Sequence, residues 1–151
     1  MQLTKNFTLE ELTRSSKAKA LRIDNSPNPE QLANLKALAE NILQPLRDSL
    51  GFPINITSGL RVPALNAAVR GSKTSQHTKG EAVDIKVSGK NKVIFDWIVN
   101  NLDYDQIISE FPNESGEPSW VHVSYKANGK QRGEVLEAYK VGKVTKYRLI
   151  K

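Results

Sequence analysis

The chain has 151 residues, of which 38% are hydrophobic and 25% charged, the size and balance of one globular domain, expected to span residues 1–151. It has no cysteine, so disulfides and thiolate metal sites are excluded and a metal must sit on His, Asp or Glu. The net charge of +6 suits a nucleic acid or an anionic cell wall, but the lysines and arginines are scattered and aromatics make up only 7%, which argues against a nucleic-acid partner.

The N-terminus, Met1-Gln-Leu-Thr-Lys-Asn-Phe-Thr8, has no basic segment leading into an apolar stretch. No secretory signal is read there, and synthesis in the cytoplasm is expected, with any cell wall reached by release or another export route. No run approaches the roughly 20 apolar residues of a membrane span, so a membrane is not an expected partner. Thr8-Leu-Glu-Glu11 reads as a capping box opening a short helix, with Phe7 as its hydrophobic staple. After the turn-rich stretch from Asp24 to Asn28, Asn28 caps a second helix with Pro29 at its first position. Leu32, Leu35, Leu38, Ala39, Ile42, Leu43, Leu46 and Leu50 recur at helical spacing, Gly51 ends the run, and Pro45 predicts a kink. This helix reads as a packing element without chemistry of its own.

Beyond Gly51 the texture changes. Ile54 to Thr57 reads as a strand, Ala64 to Val69 as a short helix, and Gly71 to Gly80 as a polar loop. Ala82 to Val87 reads as a strand and Val93 to Val99 as a helix carrying Trp97 in its apolar stripe. Gln106 to Glu110 and Trp120 to Tyr125 read as a hairpin joined by a Pro/Gly/Ser/Asn loop. Two more strands are expected near Glu134 to Tyr139 and Lys143 to Leu149, turning at Val141-Gly142. Helices first and strands later predict an α+β fold, a small antiparallel sheet with helices packed on one side.

The chemistry collects around the chain's two histidines. His77 lies in Ser75-Gln-His-Thr-Lys-Gly80-Glu-Ala82-Val-Asp84, where Gly80 permits a tight turn and Ala82 is small. Asp84 interrupts an apolar strand, and a buried carboxylate is costly unless it is paired or metal-bound. Alternation places Trp120, His122 and Ser124 on one face of their strand. If the two strands are neighbours, His122 completes a His-Asp-His set. Three protein ligands with a fourth position open is the pattern of catalytic zinc.

Ser75-x-His77-x-x-Gly80-x-Ala82-x-Asp84, followed by Trp120-Val-His122-Val-Ser124, resembles the zinc D-Ala-D-Ala metallopeptidases. That family includes D,D-carboxypeptidases, vancomycin-resistance dipeptidases and phage L-alanyl-D-glutamate endopeptidases, and shares its metal site with the hedgehog signalling domain. Thr57-Ser-Gly-Leu-Arg61 and Leu65-Asn-Ala-Ala-Val69 are similar to a compact branch found in phages and bacterial genomes. The resemblance runs from Phe7 to about Glu137. It implies that His77, Asp84 and His122 bind Zn2+, and that Arg61 holds a substrate carboxylate or carbonyl beside it.

Hydrolysis also needs a carboxylate base. Many relatives carry an acid three positions before the last metal histidine, where this chain has Ser119. Glu110, at the end of the strand before His122, is the candidate base, and hedgehog-like members place a glutamate similarly; Glu117 is the next candidate. Ser75 and Gln76 either bind substrate or cap their loop, and Trp120 either lines a cleft or packs. The expectation is a monomeric zinc peptidase acting on peptidoglycan peptide stems, an endopeptidase of endolysin type. The competing readings are a D-Ala-D-Ala carboxypeptidase and a non-catalytic zinc module for wall binding or phage structure.

Overall fold

The structure, a computed structural model, describes residues 1–127 and 129–151. A two-stranded antiparallel ribbon, β1 (Gln2–Thr4) and β2 (Phe7–Thr8), precedes the first helix. Helix α1 (Leu9–Thr13) opens with the expected capping box, Glu11 N donating to Thr8 Oγ1 and Thr8 N to Glu11 Oε1, both at 3.2 Å. Phe7 is buried in the core beside it. A further helix, α2 (Ser16–Leu21), starts at Ser15, whose hydroxyl accepts from Ala18 N. Neither the ribbon nor α2 is evident from periodicity, because each is too short to display one.

The long helical segment is not continuous. Helix α3 (Pro29–Leu38) begins at the Asn28–Gln31 capping box, passes through a π-helical turn at Ala39–Leu43, and continues as α4 (Gln44–Leu50) to the left-handed cap Gly51. Pro45 has no N–H for the carbonyl four residues upstream, and the adjoining turn widens so that Gln44 N bonds to Ala39 O. Leu35, Leu38, Ile42, Leu43 and Leu46 are all fully buried across this break.

The main sheet comprises β3 (Ile56–Ser58), β4 (Ala82–Ile85), β5 (Gln106–Glu110), β6 (Trp120–Ser124), β7 (Glu134–Val141) and β8 (Val144–Leu149). Its order is β3-β4-β6-β5-β7-β8. Helix α5 (Pro63–Ala68) follows β3, and α6 (Asn91–Asn101) lies between β4 and β5. The sheet is mixed, which corrects the expected antiparallel one: β5 and β7 pair in parallel, and every other neighbouring pair is antiparallel. The cause is where β7 joins. The β5–β6 hairpin leaves β6 at the start of β5, and β6 is already paired with β4 on its other side. The chain crosses that end, with Gly133 N bonding to Tyr104 O and Glu134 N to Asp105 O, and enters β7 on the free edge of β5 running the same way.

Strand alternation divides the sheet into two faces. Val83, Ile85, Ile107, Val121, Val123 and Val135 join the core cluster with Leu12, Leu35, Leu38, Ile42, Ile94 and Ile98. The other face carries Asp84, His122, Ile108 and Glu110 into a cleft of about 750 Å³. Trp97 packs partly buried against the core. No helix among the described residues is long and apolar enough to cross a membrane.

One glycine ties helix to cleft. Gly80 has φ +74°, and a Cβ there would lie 2.7 Å from the carbonyl oxygen of Gln31 in α3. Gly80→Ala therefore combines a left-handed penalty of roughly 1–2 kcal/mol with a backbone clash. Denaturant unfolding should show a loss of about 2 kcal/mol or more, and an unchanged midpoint would refute this account of how α3 seats the loop.

Candidate active site

His77 stands in a single 3-10 turn, Gln76–Lys79, within the stretch read from sequence as loop. The Ser75 hydroxyl caps it, accepting from His77 N at 3.2 Å, and Gly80 ends it. Helix α3 holds the turn from outside: Gln31 Nε2 donates to Thr78 O at 3.0 Å and Asn34 Nδ2 to Lys79 O at 2.9 Å. Gly59 O lies 2.7 Å from His77 Nδ1. A carbonyl only accepts, so Nδ1 donates to it and Nε2 is left facing Asp84. Gly59 is required by close approach, since a Cβ there would sit 2.2 Å from Leu12 O.

Asp84 and His122 face each other in the β4–β6 register. Asp84 Oδ1 is 3.1 Å from His122 Nδ1 and 3.3 Å from His77 Nε2. Burial opposes a charge on Asp84, but His77 and His122 outweigh it and hold the carboxyl well below its ordinary range. The 3.3 Å between His77 Nε2 and Asp84 Oδ1 leaves room for a shared proton or for a cation between them. The ligand atoms of all three residues lie within 4.8 Å of one another. Atoms bound to a tetrahedral ion at about 2.0–2.1 Å stand roughly 3.3 Å apart, so the spacing of Asp84 from both imidazoles fits zinc. The Gly59–His77 contact is the outer partner that a metal-binding histidine normally has.

Glu110 is the next acid along the sheet. In the β5–β6 register Ile108 lies opposite His122 and Glu110 opposite Trp120, on the cleft face. Glu110 is only 8% exposed. Burial, reinforced by the charge of Asp84 and opposed by His122, pushes its pKa up to about 7. Ser119 fastens this strand end through Ser119 N to Glu110 O and Ser119 Oγ to Phe111 O, both at 2.8 Å. Glu117 does not line the cleft; its carboxylate accepts from Lys92 N at 3.4 Å, at the start of α6.

Arg61 follows β3 and lines the cleft beside Asp84. Burial lowers its pKa and the charge of Asp84 raises it. Its Nη2 donates to Ser75 Oγ at 3.3 Å, and among the described residues its buried Nε has no partner. Ser75 and Gln76 both line the cleft, yet both are engaged with protein. Gln76 Nε2 donates to Glu81 Oε1 at 3.2 Å and to Asp105 Oδ2 at 3.1 Å. Trp120 also lines the cleft, tilted against Phe111 with ring centroids 5.5 Å apart.

Sequence reasoning misses three supports. Asp105 is fully buried and receives Arg132 through Nε, Nη2 and the backbone N, a charge pair whose members lie far apart in sequence. Through Gln76 it anchors the turn that carries His77. Gln31 and Asn34 are the other two, and their trace in the sequence is a pair of amides within the polar positions of an otherwise leucine-rich helix.

The family model described as Peptidase M15 matches residues 5–124, a span that includes Arg61, His77, Asp84, Glu110 and His122. No curated protein matches the chain. With most of its length matched and a His-Asp-His group assembled in the cleft, the chain belongs to the peptidase M15 family, the zinc D-Ala-D-Ala metallopeptidases.

Proposed function

We propose that this peptidase is zinc-dependent and cuts an interior peptide bond in the stem or cross-bridge of bacterial peptidoglycan. His77, Asp84 and His122 hold the metal, Glu110 is the general base, and Arg61 binds the substrate. The carrying observation is the order of side chains across the sheet: Arg61 after β3, Asp84 on β4, His122 on β6 and Glu110 on β5, all lining one cleft. The cleft continues beyond Glu110 to β7 and β8, and room on both sides of the metal group favours an interior bond. The net charge of +6 suits an anionic wall, met after release as an endolysin would meet it.

When bound, zinc polarises the scissile carbonyl and acidifies a water molecule toward a pKa of about 7. Glu110 takes the proton of the attacking water and delivers it to the leaving amine nitrogen; in the metal-free chain burial already holds its pKa up at about 7. His77, fixed by Gly59, keeps Nε2 directed at the metal position. Arg61 stays charged and offers a planar fork to a carboxylate or carbonyl oxygen. Its buried Nε, without a partner among the described residues, also supports a second reading, a carboxypeptidase in which Arg61 grips the terminal carboxylate.

Mass spectrometry of purified peptidoglycan tests both. Zinc-loaded protein is run beside chelated and Glu110→Ala controls. New internal termini that require metal and Glu110 are the expected result. Release of D-Ala alone would assign the carboxypeptidase, and no product from several wall types, with stoichiometric zinc bound, would overturn the peptidase reading in favour of a binding module.

A further inference from the structure

The family match ends at Ser124, yet two strands beyond it complete the cleft face. Glu110 pairs with Ala138 of β7, and Ala138 with Tyr147 of β8. Lys140 lies two residues further along β7 on the same face, and both Lys140 and Tyr147 line the cleft. Ala138 is small and fully buried between Glu110 and Tyr147. Burial, and after it the charge of Glu110, raises the Tyr147 phenol.

The Lys140 ammonium sits 5.4 Å above the Phe111 ring. Phe111 directly follows Glu110 and adopts φ 49°, left-handed for a bulky side chain, a conformation that costs about 1–2 kcal/mol and collects at functional positions. The strained turn presents the ring between Trp120 and Lys140. Among the described residues no carboxylate pairs with Lys140. Tyr147 is 56% exposed, a large aromatic surface left open beside a candidate base.

The cleft thus holds the carboxyl groups of Asp84 and Glu110 between two basic side chains, Arg61 on one side and Lys140 on the other. Three strand spacings and a two-residue offset separate His122 on β6 from Tyr147 on β8, roughly 16 Å, the length of about five extended residues. We infer that the β7–β8 hairpin is a substrate-binding wall, in which Lys140 on its aromatic seat receives a carboxylate of the peptide and Tyr147 packs against the peptide chain, on the side of the scissile bond away from Arg61. This inference rests on the peptide-hydrolase reading and adds a preference for acidic peptides.

Calorimetric titration of the zinc-loaded full chain carrying Glu110→Gln tests it, with a synthetic stem tetrapeptide bearing free carboxylates and its amidated counterpart as probes. The free acid should bind roughly three- to tenfold more tightly, a preference that fades with salt. Adding Lys140→Ala should erase the preference and Lys140→Arg should keep it. Tyr147→Ala should weaken both peptides by about tenfold, with Tyr147→Phe intermediate. Circular dichroism and zinc stoichiometry should be the same in all. Affinities within twofold across these variants, or equal binding of the two peptides, would overturn the wall and leave the peptidase reading in place. Binding of neither peptide would also overturn the inference, while wall digestion decides the peptidase reading independently.

Discussion

Glu110→Gln is expected to lower kcat by roughly 10²- to 10⁴-fold, the range for losing a positioned acid–base group, while zinc still binds stoichiometrically. The variant keeps the shape of the side chain and removes only its proton-accepting charge. The same substitution should stabilise the metal-free fold, and the sign follows from the pKa. Glu110 in the folded protein titrates at about 7 rather than at its ordinary 4.5, so the folded state binds its proton more tightly than the unfolded state does. Wild-type stability therefore suffers no penalty below pH 4.5, loses ground as pH rises toward 7, and carries the full penalty above it. The glutamine variant has no such loss. Denaturant titrations should find the two proteins equal near pH 4, with the variant ahead by about 2–3 kcal/mol at pH 8. A full-rate variant would remove Glu110 as base, and a stability gap that does not change with pH would show that its carboxyl is not held in a desolvated position.

Asp84→Asn is expected to cost more than any other single change at the metal. It leaves two imidazoles without the anion that both of them face at 3.1–3.3 Å. Loss of an outer partner typically weakens a metal site about 10- to 100-fold, and loss of this charged ligand should exceed 100-fold, with hydrolysis falling below detection at micromolar zinc. Removing the metal from the wild type should act in the same direction on stability. At zinc near 1,000 times its Kd, binding contributes about 4 kcal/mol, so chelation should lower Tm by about 10 °C in a chain of this length. With zinc then at about 10 times its Kd or below, the Tm response of Asp84→Asn to chelator should shrink to about a third or less of the wild-type response. A variant that still gains that stability from zinc would exclude Asp84 from the ligand set.

Much of the site can be read in one dimension because its signals are local. The segment Ser75 to Asp84 carries a turn glycine, a histidine and a carboxylate misplaced in an apolar strand, and each is intelligible from a few neighbouring residues. Alternation along Trp120 to Ser124 is equally local, so the face of His122 follows from period two. The capping boxes at Thr8 and Asn28 are read from their own four residues.

The remaining features depend on which elements become neighbours. Pro45 announces a disturbance, but only the packed helix shows it as a π turn upstream with the leucine stripe still buried. The length of the segment from Tyr125 to Gly133 does not say whether β7 joins beside β6 or crosses to β5. The partners available at each sheet edge decide that, and the result is a mixed sheet. The same crossing brings Arg132 onto buried Asp105, and Asp105 onto Gln76 beside His77. The chemistry and the local geometry of the candidate site are legible in the order of residues, because side-chain type, turns and alternation are properties of adjacent residues. The hairpin read from sequence already sets Glu110 across from Trp120, but strand order and the placing of β7 and β8 beside the cleft come only from the tertiary structure, because pairing between distant strands is settled by burial and hydrogen bonding across the whole sheet.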